Sequence, residues 1–181
     1  MGSRRPATAR RKPVPTVDVV PMTVAHIAGY RECVDIVARE RRYLAQVEAL
    51  PLEAIEAFLH QHLAADAPVF VALDGARVVG WADILPGWPE AKRHCGTLGM
   101  GVLPGYRGAH VGRRLLEAVV AKAWRNGMAR IELEVRADNL AAIRLYEAFG
   151  FRTDCVKARA LRQDGVFHDA LAMSLLREGD D

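Results

Sequence analysis

The chemistry of this chain is concentrated between Gly101 and Arg114, in the run Gly101-Val102-Leu103-Pro104-Gly105-Tyr106-Arg107-Gly108-Ala109-His110-Val111-Gly112-Arg113-Arg114. An extended apolar stretch enters a loop of small residues, and the loop opens a helix. Free N–H groups and the positive end of the helix dipole converge at such a turn, which is how a backbone binds phosphate. Arg107, Arg113 and Arg114 add cationic side chains. The plainer alternative is a glycine-rich turn with a solvated basic rim, because short glycine patterns carry little information alone. Two other phosphate motifs are excluded. The chain has no GxxxxGK[ST] run, and GxGxxG is missing where strand, turn and helix occur in order.

A second constellation follows. Ile131, Leu133 and Val135 alternate with Glu132 and Glu134, so one face of a strand is buried and the other carries carboxylates. Asn139 then caps a helix that holds Tyr146 and stops at Gly150. Taken together, Arg107-Gly108-Ala109-His110-Val111-Gly112 resembles the Arg/Gln-x-x-Gly-x-Gly/Ala signature of the GNAT N-acetyltransferases. Leu133-Glu134-Val135-Arg136-Ala137-Asp138-Asn139, with Ala142, Leu145-Tyr146 and Gly150-Phe151, resembles that family's strand-then-helix block. The two motifs cover about 97–155 in the family's order and separation, and the element order extends the match to roughly 17–177. One position departs from the signature. His110 stands where its first glycine belongs, and a Cβ there restricts positive φ.

The resemblance implies an α/β (α+β) fold: a mixed, mostly antiparallel sheet of about seven strands, splayed where acetyl-CoA binds, with four main helices on its faces. It implies acetyl-CoA as co-substrate without a metal, held by Met100, Gly101, Val102, Arg107, Gly108, Ala109, His110, Val111, Gly112, Arg113, Asn139 and Tyr146. Acetyl transfer to an amine needs a neutral nucleophile, a polarised thioester and a proton for the departing thiolate. Tyr146 is the acid that the motif assigns; a packed core aromatic is the other reading. Glu134 resembles the strand glutamate that serves as base in ribosomal-protein N-terminal acetyltransferases. A solvated or salt-bridged edge is its alternative, and Asp83 and His94 are alternative bases. In this superfamily the first two helices and the terminal hairpin wall the acceptor, which implicates Glu40, Arg41, Arg42 and Tyr43, with Arg162 to Asp169; Asp83, on the third strand, is a further candidate substrate-binding residue.

Several elements must position these groups. Val17 to Val20 reads as a first strand, Thr23 caps a helix running to about Gln46, and a second helix starts near Pro51 with Leu52, Ile55, Leu59 and Leu63 on one face. Strands on either side of Asp74-Gly75 form a hairpin, and a further strand covers about His94 to Val102. The apolar period from Val111 to Arg125 gives a helix ended by Asn126-Gly127, and the chain closes on a hairpin turning at Asp164-Gly165.

Composition is consistent with that plan. A chain of 181 residues with 51% hydrophobic and 26% charged residues is an ordinary single-domain length and balance. No apolar run approaches the ~18 residues of a membrane-spanning helix. Residues 1–15 hold five of the 25 basic residues and no acid, leaving 20 basic against 22 acidic in 16–181. Basicity thus belongs to a tail, expected to be disordered, and the folded part offers no global charge for nucleic acid. Cys33, Cys95 and Cys155 form no CxxC, which fits reduced thiols in a cytoplasmic protein. His60 and His62 lie two apart on a helix, on different faces, against a metal pair. The expectation is an acetyl-CoA-dependent N-acetyltransferase acting on a small primary amine or amino acid, in a family where homodimers are common. A protein N-terminal acetyltransferase and a non-catalytic acyl-CoA-binding module are the alternatives.

Overall fold

The computed structural model describes residues 16–179, and the basic segment 1–15 lies outside them. Seven strands and four α-helices follow in the order β1 (Asp18–Pro21), α1 (Ile27–Arg39), α2 (Leu52–Ala64), β2 (Val69–Asp74), β3 (Arg77–Pro86), β4 (Cys95–Val102), α3 (Val111–Arg125), β5 (Arg130–Arg136), α4 (Leu140–Phe149), β6 (Arg152–Gln163) and β7 (Val166–Leu176). They form one open sheet in the order β1-β2-β3-β4-β5-β7-β6. Every neighbouring pair is antiparallel except β4 and β5. A parallel pair needs a crossover, which α3 supplies.

The alternation of β3 sorts the helices between the two faces. Gly80 looks toward α3, where its missing Cβ would lie 3.1 Å from Leu115, and Trp81 looks the other way, onto Tyr30 of α1 with ring centroids 5.9 Å apart. On α1, Ile27, Tyr30, Val34 and Val37 recur at helical spacing and bury against the first face with Ile55 and Leu59 of α2. On α3, Val111, Leu115, Leu116, Val119, Val120 and Ala123 bury against the opposite face. Each fully buried aliphatic side chain of this kind stabilises the fold by about 1.5–3 kcal/mol relative to exposure.

Two boundaries differ from the sequence expectation. The first helix stops at Arg39 instead of running to Gln46, because Arg41 turns into the left-handed region at φ 49° and tertiary bonds hold the segment that follows. No glycine or proline marks that stop. The first hairpin turns on Gly75-Ala76, with Asp74 still paired to Arg77 as the last strand residue. Gly75, at φ 58°, supplies the positive φ that a type II′ turn needs at its first central position. The closing hairpin turns on Asp164-Gly165, at φ 49° and 82°, which suits the type I′ turn that such a dipeptide favours.

Candidate active site

β4 and β5 are paired only at Cys95–Thr97 with Arg130–Glu132; beyond these residues the strands diverge. The split leaves the β4 backbone from Leu98 to Val102 without a partner on the β5 side, although β3 still pairs with it on the other. Unpaired backbone groups next to a cleft must find other hydrogen-bonding partners, so the gap suits an extended amide-containing ligand.

A cavity of about 500 Å³ opens at this split. Met100, Gly101 and Val102 of β4 line its floor, and the turn at Arg107, Gly108, His110, Val111, Gly112 and Arg113 lines one end. Asn139, Ala141, Ala142, Leu145 and Tyr146 come from α4 and the residue that caps it, while Val37, Tyr43 and Leu44 close the α1 side. Eleven of the twelve residues expected to hold the co-substrate therefore converge on one cavity, with Ala109 outside its lining. Of the expected acceptor residues Tyr43 lines it, whereas Glu40, Arg41 and Asp83 do not.

The turn has the geometry of an anion cradle. His110 is the N-cap of α3 and sits in the left-handed region at φ 59°, ψ 9°, the conformation its signature position reserves for glycine. Histidine thus takes a left-handed conformation here despite its Cβ. No side chain caps the first turn of α3, so its N–H groups stay open toward the cavity. Gly112 lies with Leu145 and Met100 within van der Waals reach of where its Cβ would be, at 3.4 and 3.5 Å, which brings α4 beside the start of α3.

Arg107 behaves differently from a free phosphate ligand. Its Nε donates to the Val102 carbonyl at 2.8 Å, and its two terminal nitrogens donate to both carboxylate oxygens of Glu40 at 2.8 and 2.5 Å. This bidentate pair ties the cradle to the C-cap of α1. Arg113 is exposed and paired with Glu117 at 2.9 Å. With Arg107 and Arg113 paired inside the chain, what the turn leaves open is chiefly the backbone N–H groups and the dipole of α3.

Tyr146 is buried at 8% exposure, packs against Phe151 at 5.7 Å, and makes no hydrogen bond through its hydroxyl among the described residues. Burial raises its pKa, so the phenol of this cavity-lining residue keeps its proton. Asn139 accepts from the Ala142 N–H at 3.3 Å, which spends its carbonyl on capping α4. Glu134 lies on the exposed side of β5, ion-paired with Lys157 and outside the cavity lining.

The segment after α1 and the closing hairpin, where the sequence analysis expects the acceptor, are joined by contacts that local sequence cannot show. Gln163 on β6 donates to the Leu44 carbonyl at 2.7 Å and accepts from Arg136 of β5 at 2.5 Å, while Arg41 pairs with Asp164 at 2.6 Å. The hairpin tip and the segment after α1 are thereby clasped together. Of the apolar cavity residues, Val37 and Leu44 lie outside both motifs, while Leu145 stands within the second motif but is not among the residues expected to hold the co-substrate.

Comparison with known proteins gives a consistent result. The profile described as the Acetyltransferase (GNAT) family matches residues 31–151. The chain is 38% identical over 72 residues to the [ribosomal protein bS18]-alanine N-acetyltransferase of Escherichia coli (strain K12), covering 40% of this chain and 49% of that enzyme. It thus spans about half the length of that relative. It is also 38% identical over 104 residues to the N-alpha-acetyltransferase RimI of Mycobacterium tuberculosis, covering 56% of this chain and 61% of the relative. Among solved structures, yncA of Salmonella typhimurium with its cofactor acetyl-CoA shares the fold at a TM-score of 0.85 and 20% identity, over 91% of this chain and 96% of that one.

Proposed function

The chain belongs to the acetyltransferase (GNAT) family, and from that premise we propose that it transfers the acetyl group of acetyl-CoA directly to a primary amine of a small molecule or amino acid. The observation that carries this reading is one continuous cavity lined by the His110 turn, the β4 edge at the β4–β5 split, and Tyr146. The residues fit the co-substrate: open N–H groups of α3 for its pyrophosphate, and the unpaired β4 edge for its amide arm. When bound, acetyl-CoA supplies a thioester whose sulfur must leave as a thiol. Tyr146 holds the proton that this sulfur needs, kept in place by burial. Glu134 takes the acceptor's proton at the solvent end of the path through water, since it lies outside the cavity lining and beside Lys157. A small acceptor suits the wall that Gln163, Leu44, Arg41 and Asp164 hold shut.

A second reading is a protein N-terminal amine as acceptor, favoured by the two relatives named for alanine and N-alpha acetylation. The test follows free thiol release from acetyl-CoA with free amines and amino acids against peptides of varied first residue. Tyr146→Phe removes the proton donor and keeps the ring, so kcat falls roughly 10²–10⁴-fold while acetyl-CoA affinity holds. An unaltered kcat would return Tyr146 to a packing role, and turnover confined to peptides would select the second reading.

A further inference from the structure

The sheet ends on an edge that the fold leaves open. Its border strands are β1, four residues long, and β6, twelve residues long and paired only with β7. From Arg152 to Ala160 every residue of β6 is exposed. A border of this length presents a row of unpaired N–H and C=O groups, which an extended chain can complete as a further strand.

The charges along that border have one sign. Asp154, the single acid of β6, is held by Arg130 at 2.6 Å and by the Ser174 hydroxyl at 2.8 Å, and Lys157 is paired with Glu134. Arg152, Arg159 and Arg162 have no carboxylate partner for their side chains among the described residues. The guanidiniums of Arg159 and Arg162 instead lie over the Phe167 ring, 5.5 and 5.2 Å from its centroid, and Phe167 and Val156 stay more than half exposed. Arg159 reaches the ring from an irregularity between Lys157 and Leu161, where its backbone turns left-handed at φ 51° and its N–H donates to the Asp169 carboxylate at 2.8 Å. A bulge re-aims a side chain, and this one brings a second guanidinium onto one exposed ring. Arginine beside an aromatic is the composition that anchors protein interfaces.

Two copies of this chain joined through β6 would set arginine against arginine, and like charges on facing strands oppose pairing. The same charges select a different occupant. We propose that β6 takes an acidic segment of another polypeptide as an eighth strand of the sheet, with its carboxylates on Arg152, Arg159 and Arg162 and an apolar side chain beside Phe167 or Val156. Pairing along a strand edge is open to a polypeptide backbone, whereas a nucleic acid would use the guanidiniums alone. The docking edge lies outside the cavity, so this inference goes beyond the acetyltransferase reading and does not depend on which amine the cavity takes.

The probe is a peptide of alternating glutamate and valine with fluorescein on its N-terminus, which leaves it no amine to acetylate. Anisotropy with the wild type shows saturable binding that weakens severalfold between about 20 and 200 mM salt. Arg152→Glu, Arg159→Glu and Arg162→Glu together weaken it roughly tenfold or more. Two measurements on the wild type alone keep the test independent of how that variant folds. Methylating alternate peptide nitrogens removes N–H donors, keeps every carboxylate and abolishes binding, and the unmodified peptide slows hydrogen exchange at the β6 amides. Equal affinity for the methylated peptide, or for a lysine and valine peptide, overturns the proposal. So does tighter binding of a single-stranded oligonucleotide, or sedimentation that shows a dimer whose β6 amides are protected without peptide.

Discussion

Asp83→Asn should make the protein more stable, increasingly so as pH rises. The folded carboxyl titrates at about 7 against the ordinary aspartate value of 3.8, because burial disfavours the charged form. Between those values the folded state binds more proton than the unfolded state, so unfolding free energy falls as pH rises, and it levels off above 7. At ~1.4 kcal/mol per pH unit the loss across that window is about 4 kcal/mol. Asparagine has nearly the same shape and no charge to bury, so the variant escapes the penalty. Asp35, Asp138 and Asp154 do not confuse the measurement. Bonds from Arg39, Arg136 and Ser174 hold their carboxyls low, so their stabilisation is present above about pH 4 and lost below it, outside the window. The assay is urea unfolding, or calorimetry, of both proteins at pH 5 and pH 8 without ligand. The variant's advantage should grow by about 2–3 kcal/mol between these conditions, several degrees in Tm for a domain of this size. Parallel stability curves for the two proteins from pH 5 to 8 would refute the argument, since a charge that is never buried leaves no slope.

Two further outcomes follow from backbone geometry. His110 is held at φ 59°, which costs a residue with a Cβ about 1 kcal/mol, so His110→Gly should gain stability of that order in thermal melts. A loss would mean that the ring supplies contacts worth more than the strain. A Cβ at Gly101 would lie 2.3 Å from the buried Trp81 ring, so Gly101→Ala should cost about 1–3 kcal/mol by chemical denaturation and weaken acetyl-CoA binding as the strand shifts. Unchanged values would show that Trp81 moves freely, against its edge-on contact with Tyr30.

The elements whose causes are local were legible in the sequence. Asn139 caps α4 and Gly150 ends it at φ 110°, α3 follows the period of Val111 to Ala123, and the closing hairpin turns at Asp164-Gly165. Each depends on backbone preferences or side-chain period within about a dozen residues, which the chain carries wherever it folds. The residues at 107–112 form the turn at the start of α3, where His110 is left-handed, and all but Ala109 of them line the cavity. Tertiary structure decided where charges meet. Arg107 is claimed by Glu40, 67 residues away, and Glu134 by Lys157. The first helix stops at Arg39 because Glu40 and Leu44 are drawn to Arg107 and Gln163, partners that no local pattern announces. Asp83 reads in sequence as a polar residue in a strand. Its isolation follows from strand register, which sets it opposite Gly99 at the sheet's division beneath α1, and register forms only when strands distant along the chain pair across the whole sheet.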